Sequence, residues 1–197
     1  MDIQYQVKAE FIKLLEMLIT TKIVLYSAVL LLAAFGYFSY RQATPTPLAG
    51  DSAPNFSLVD AKNVTHQLSD YRAKWLVLYF YPKDDTPGCT AEACHFRDDM
   101  TQLTQLGASV VGISVDDGRT HSEFAKKYNL PFPLLSDKNG TVAASYGALT
   151  NLFVIKFAKR YTFLINPAGK IAKVYLDVNT SAHSQQIIDD LKNLQVN

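Results

Sequence analysis

Cysteine is scarce in this 197-residue chain: only Cys89 and Cys94 occur, too few for a secreted scaffold stapled by disulfides. Any importance they have is as reactive thiols or ligands. Net charge is nearly absent as well. The formal charge is +1, from 19 Lys plus Arg against 18 Asp plus Glu, which excludes a strongly basic nucleic-acid binder. Glycine (9) and proline (8) are sparse while 48% of residues are hydrophobic, which excludes a collagen-like repeat and a disordered chain. Neither a G-x-G-x-x-G nor a P-loop pattern occurs, and nothing signals haem or flavin. His66, His95, His121 and His183 lack metal-ligand spacing. The acidic pairs Asp84-Asp85 and Asp98-Asp99 read as a solvated loop and a solvated helix face. The expectation is a chain with no cofactor, no metal and no nucleic-acid partner.

Charge is also missing locally. Between Lys22 and Arg41 the sequence IVLYSAVLLLAAFGYFSY (23–40) contains no charged residue, and as a helix it would reach about 27 Å, near the roughly 30 Å of a hydrocarbon core. A cleaved signal peptide fits poorly. The leading region is long and carries Asp2, Glu10 and Glu16 beside Lys8, Lys13 and Lys22, and the small triplet Ala34-Phe35-Gly36 lies inside the apolar run. The expectation is an uncleaved single-pass anchor over 23–40. Residues 1–22 would form an amphipathic lead-in, with Val7, Phe11, Leu14, Leu15 and Leu18 at helical spacing. Tyr37, Tyr40 and Arg41 then fall where an interfacial belt is expected, and the three preceding lysines against one following arginine favour an inside N-terminus. The remainder would face the periplasm from a bacterial inner membrane. Residues 41–50, uncharged after Arg41 and interrupted by proline, read as a linker.

Residues 51–197 suffice for one well-packed domain. WLVLYFY (75–81) and SVVGISV (109–115) are short apolar runs of the kind that strands covered on both faces present. YTFLI (161–165) and IAKVYLDV (171–178) flank Asn166-Pro167-Ala168-Gly169, which predicts a hairpin. Helices are expected over 90–106, 119–128, 141–146 and 184–194. In the first, Ala93, Phe96, Met100 and Leu103 make one apolar stripe, with Glu92, Arg97, Asp98 and Asp99 turned elsewhere. This order predicts an α/β domain with a central mixed sheet, parallel in the middle and antiparallel at one edge, flanked by helices. That is a thioredoxin-like arrangement, here preceded by one transmembrane helix.

Seven residues before Phe96 stands Cys89, so this thiol continues the inward stripe at the positive end of the first helix. The thiolate is the nucleophilic form of cysteine, and unpaired backbone N–H groups favour it. The surrounding motif is specific. Pro82, Thr86 and Cys89 fit the P-x-x-x-T-x-x-C pattern of peroxiredoxins, and Thr86-Pro87-Gly88-Cys89-Thr90 resembles the TPGCT of the peroxiredoxin Q, or bacterioferritin comigratory protein, subfamily. The resemblance extends from Ala53-Pro54-Asn55-Phe56 to the YTFLI segment. It implies a thiol-specific peroxidase, with Cys89 attacking a hydroperoxide to form a sulfenic acid. It further implies that Pro82 shields the thiolate, that Thr86 and the N–H groups of Gly88 and Cys89 bind the peroxide oxygens, that Arg160 faces the thiolate and that Glu92 orients the arginine.

Cys94, five residues on, matches the resolving cysteine of many subfamily members, which implies an atypical two-cysteine cycle through a Cys89–Cys94 disulfide. Five helical residues turn about 140° and rise about 7.5 Å, whereas a disulfide needs Cα atoms about 4.4 to 6.8 Å apart, so the helix must first unwind. Recycling would fall to thioredoxin or a thioredoxin-like dithiol protein, and the protein would be a monomer or weak dimer. The segment LTNLFVIKFAK (149–159) is shorter and more apolar than the family pattern and is expected to form a patch or pocket wall rather than an extra buried strand. Two other readings share the layout but not the cysteine spacing: an anchored copper-binding assembly factor, which would use C-x-x-x-C, and a general disulfide oxidoreductase, which would use C-x-x-C.

Overall fold

The computed structural model describes residues 3–41, 45–152 and 155–196, with only the backbone described for 3–7, 9 and 37–41. The proposed interfacial belt of Tyr37, Tyr40 and Arg41 thus lies outside the described side chains, as do Val7, Phe153 and Val154. Two compact units are present, Met1–Ala43 and Thr44–Asn197. The first contains one helix, α1 (Ile3–Arg41). Its stretch Glu10–Gly36 is strongly apolar and none of its side chains is buried. By length and composition this helix can cross a membrane.

In the second unit β1 (Ser57–Val59) pairs with β2 (Thr65–Gln67), and a 3-10 turn (Leu68–Tyr71) leads to β3 (Trp75–Phe80). Then come α2 (Pro87–Asp98), α3 (Met100–Gln105), β4 (Ala108–Ser114), α4 (Gly118–Tyr128), β5 (Leu134–Ser136) and α5 (Thr141–Ser145). The antiparallel ribbon β6 (Leu149–Leu152) and β7 (Ile155–Ala158) follows, then β8 (Thr162–Ile165), β9 (Ile171–Tyr175) and α6 (His183–Val196). The main sheet runs β5-β4-β3-β8-β9. Its β3–β4 and β4–β5 pairs are parallel and its β3–β8 and β8–β9 pairs antiparallel, the mixed arrangement expected.

Period-two alternation along β3 divides the core. Leu76, Leu78 and Phe80 join Val111, Ile113, Phe163, Tyr146 and Phe56 on one face. On the other, Val77, Tyr79 and Tyr81 meet Cys89 and Phe96 of α2, Phe124 of α4 and Ile187, Ile188 and Leu191 of α6. The doubly covered strands therefore read as continuous apolar runs. Gly112 is required where these layers are tightest: a Cβ there would lie 2.8 Å from both the Tyr79 ring and the Leu134 side chain.

Several sequence expectations need correction. The helix expected over 90–106 is two helices, and the first begins earlier because Pro87 takes its opening position. The break falls at Asp99, with φ −91 and ψ 5, whose carboxylate accepts the Ser184 hydroxyl at 2.6 Å and so faces α6 rather than solvent. Asp84 likewise is buried. Three short strands, β1, β2 and β5, went unpredicted, since three residues cannot display an alternation. Part of the expected linker belongs to the folded body: Thr46 lies against Gly147, and Gly50 N–H donates to Ile171 O at 2.8 Å.

Candidate active site

Strand β3 delivers the chain to the site. After Phe80, Tyr81 N–H donates to Ile113 O at 3.1 Å, still in ladder fashion, and a short loop then reverses into α2. Thr86 occupies the N-cap position with φ −89 and ψ 149, and its carbonyl accepts Thr90 N–H at 2.8 Å. Its hydroxyl donates to Lys83 O at 3.0 Å, toward the loop and not toward the thiol. Pro87, Gly88 and Cys89 are the first three helical residues, so their backbones contribute the unpaired, positive end of the helix. The Cys89 side chain points inward and is 1% exposed, against Ala93 and Phe96. Pro82 is half-buried in the loop.

Arg160 completes the centre. It stands between β7 and β8, delivered by the ribbon, whose root is closed by Lys159 N–H donating to Ala148 O at 2.6 Å. Its Nη2 lies 3.2 Å from Cys89 Sγ and its Nη1 donates to Glu92 Oε2. Glu92 is 1% exposed, which corrects its placement off the apolar stripe: the arginine draws the carboxylate inward. Burial pushes the Glu92 carboxyl up to about 7, against the opposing pull of Arg160. Burial also opposes the Arg160 charge, but Glu92 and Cys89 beside it hold its pKa above the ordinary value. Gly88 makes room for this contact, since a Cβ there would stand 3.3 Å from Arg160 Nη2.

Cys94 is half-buried on the same helix, and both cysteines are free. With α2 intact, the offset between them forbids a bond. Two buried histidines escaped sequence reasoning because nothing local marks a histidine as interior. His183 accepts or donates at 2.8 Å to Thr162 Oγ1 and packs on Phe96 and Tyr175. Burial drives its pKa down to about 4. The second, His121, pairs with Asp84. In the apolar segment Leu152 and Ile155 are 58% and 59% exposed, so it forms a ribbon with an open apolar surface and not a buried strand.

A model described as the AhpC/TSA family matches residues 49–174. The chain is 45% identical over 146 residues to a bcp protein of Coxiella burnetii, covering 72% of this chain and 97% of that one. The chain belongs to this family, as a peroxiredoxin of the Q/Bcp type. Peroxiredoxin Bcp of Bacillus subtilis is 39% identical over 153 residues, with 74% and 95% covered. Among solved structures, peroxidoxin BcpB from Mycobacterium tuberculosis superposes with a TM-score of 0.71 at 37% identity, covering 75% of this chain and 97% of that one. The peroxiredoxin therefore has a thioredoxin-like fold and is a thiol peroxidase, which leaves the copper-binding and general oxidoreductase readings without support. Helix α1 lies outside the matched residues.

Proposed function

We propose that this peroxiredoxin is membrane-tethered and reduces hydrogen peroxide and small organic hydroperoxides in an atypical two-cysteine cycle. The contact between Arg160 Nη2 and Cys89 Sγ, at 3.2 Å, carries the reading. A guanidinium there favours negative charge on sulfur in a site that Pro82 and the apolar face of α2 keep dry. The thiolate attacks the terminal oxygen, the O–O bond breaks, and the departing alkoxide or hydroxide takes a proton to leave as alcohol or water. Cys89 is left as the sulfenic acid. Arg160 and the N–H groups of Gly88 and Cys89 meet the charge developing on the peroxide oxygens, and the Thr86 hydroxyl swings from Lys83 O to join them. Glu92 holds the arginine in register.

Cys94 then attacks the sulfenic sulfur once the first turns of α2 unwind, giving the Cys89–Cys94 disulfide and water. A thioredoxin-like dithiol protein reduces this bond and is itself oxidised. On the proposed topology the catalytic domain is periplasmic, so that donor is a periplasmic or membrane-relayed dithiol. The test is peroxide consumption by the full chain with a thioredoxin system supplied, wild type beside Cys89→Ser and Cys94→Ser. Turnover should vanish in the first variant and recycling should fail in the second after one equivalent of peroxide. A Cys94→Ser enzyme that cycles as fast as wild type sinks the resolving role.

A further inference from the structure

Outside the Cys89, Glu92 and Arg160 set, the structure buries a second polar cluster in the loop that precedes α2. Asp84 is 8% exposed and His121 0%. The Asp84 carboxylate accepts from His121 Nδ1 at 2.7 Å through Oδ2 and from the Tyr81 hydroxyl at 2.7 Å through Oδ1. His121 Nε2 has no hydrogen-bond partner among the described residues, so this histidine engages the loop through Nδ1 alone, on Asp84 and, at 3.4 Å, on the Tyr81 hydroxyl. The same loop is fastened at two further points. Asp84 N–H donates to Asp116 Oδ2 at 2.8 Å, and that carboxylate is itself held by the Ser114 hydroxyl at 2.9 Å. Asp85, in the left-handed region at φ 55, accepts Lys127 Nζ at 2.7 Å and the Tyr128 hydroxyl at 2.7 Å. A non-glycine residue persists in such backbone only where its surroundings over-determine it. A solvated loop between a strand and a helix needs no buried carboxylate, so the expense of burying this one points to a task.

We propose that the Asp84–His121 pair, with Tyr81 as its second donor, is a positioning lock. It ties the loop carrying Pro82 and Thr86 to α4, so that peroxide reacts at Cys89 before the first turns of α2 open toward Cys94. Asp84 and His121 are positioning residues and touch no reacting atom. The second half of the proposal rests on Cys94 being the resolving thiol.

The test separates the two. In a Cys94→Ser background, where this disulfide cannot form, Cys89 oxidation by hydrogen peroxide is timed alone and amide exchange is followed over residues 86–94. His121→Leu should slow the oxidation by at least about ten-fold, since small misplacements around a reacting atom are costly, and should speed exchange in 86–94. His121→Asn, whose side-chain amide nitrogen stands in for Nδ1, should recover most of both. Tyr81→Phe should move both in the same direction by less, and carries the test if His121→Leu does not fold. With Cys94 present and peroxide in excess, His121→Leu should shift Cys89 from sulfinic acid toward disulfide. A His121→Leu or Tyr81→Phe protein of lowered melting temperature, with unchanged oxidation rate and unchanged exchange over 86–94, overturns the lock and leaves a merely structural pair. If wild type forms no Cys89–Cys94 bond, the resolving role fails, while the peroxide-rate measurement still decides the lock.

Discussion

At the residue scale the site depends on three side chains, two from α2 and one from the link between β7 and β8, and their mutual distances set what each substitution does. Replacing Arg160 with Met leaves Cys89 without its guanidinium and Glu92 without its partner. The rate of Cys89 oxidation should fall by about a hundred-fold or more, the magnitude expected for losing one preorganised donor, as read by stopped-flow oxidation of the reduced enzyme. Gly88→Ala is a gentler probe of the same contact. Its new Cβ, 3.3 Å from Arg160 Nη2, displaces the guanidinium by a few tenths of an ångström, so activity should drop with little loss of stability. Glu92 gives a pH signature. Its folded pKa is raised from 4.5 to about 7, so the stability that it contributes is complete below about 4.5 and is lost as pH rises through about 7. Glu92→Gln, always neutral, should therefore gain on wild type across that window by about 3 kcal/mol, measured by denaturant unfolding at a series of pH values. A flat difference would contradict it.

At the element scale the proposed cycle asks two opposed things of α2: its intact first turn presents Cys89 to peroxide, and its opened first turn presents Cys89 to Cys94. Oxidation by one equivalent of peroxide should thus remove amide protection from residues 87–94 while leaving α6 and β3 protected, because a helix N-terminus already lacks part of its bonding and opens at low cost. Hydrogen exchange of the oxidised enzyme reads this directly, and uniform protection would argue against unwinding. The stripe of Cys89, Ala93 and Phe96 was legible from spacing alone. Glu92 was not, because its burial depends on a guanidinium 68 residues further along the chain. The open apolar surface of 149–159 was legible too, since Leu152 and Ile155 stand exposed as expected, but its pairing as the β6–β7 ribbon that leads into Arg160 was not.

At the scale of the whole molecule two buried groups pull stability in opposite directions with pH. His183, depressed from 6.5 to about 4, contributes stability that is present above about 6.5 and lost as pH falls toward 4. Glu92 does the reverse, so between about 4.5 and 6.5 the two slopes offset each other. Their two contributions should nearly cancel there, and Glu92→Gln should unmask the His183 loss on acidification. Tethering is tested on the same scale. The full chain in bacterial membranes should resist carbonate extraction, and its domain should be digested by protease added to spheroplasts, the outcome expected of an inside N-terminus. A chain released by carbonate would end the anchor reading.

The amino-acid sequence alone determined the doubly buried strands, the mixed α/β order, the apolar helix and the inward position of Cys89 at the start of α2. Each is written in local periodicity, turn chemistry or a contiguous motif. Only the tertiary structure decided that Glu92 and Asp84 are interior and that His121 pairs with Asp84, and it alone supplies the Arg160–Cys89 contact that the family resemblance implies. Those facts concern partners far apart along the chain, and a charged side chain goes inside only where folding has already brought its counterpart there.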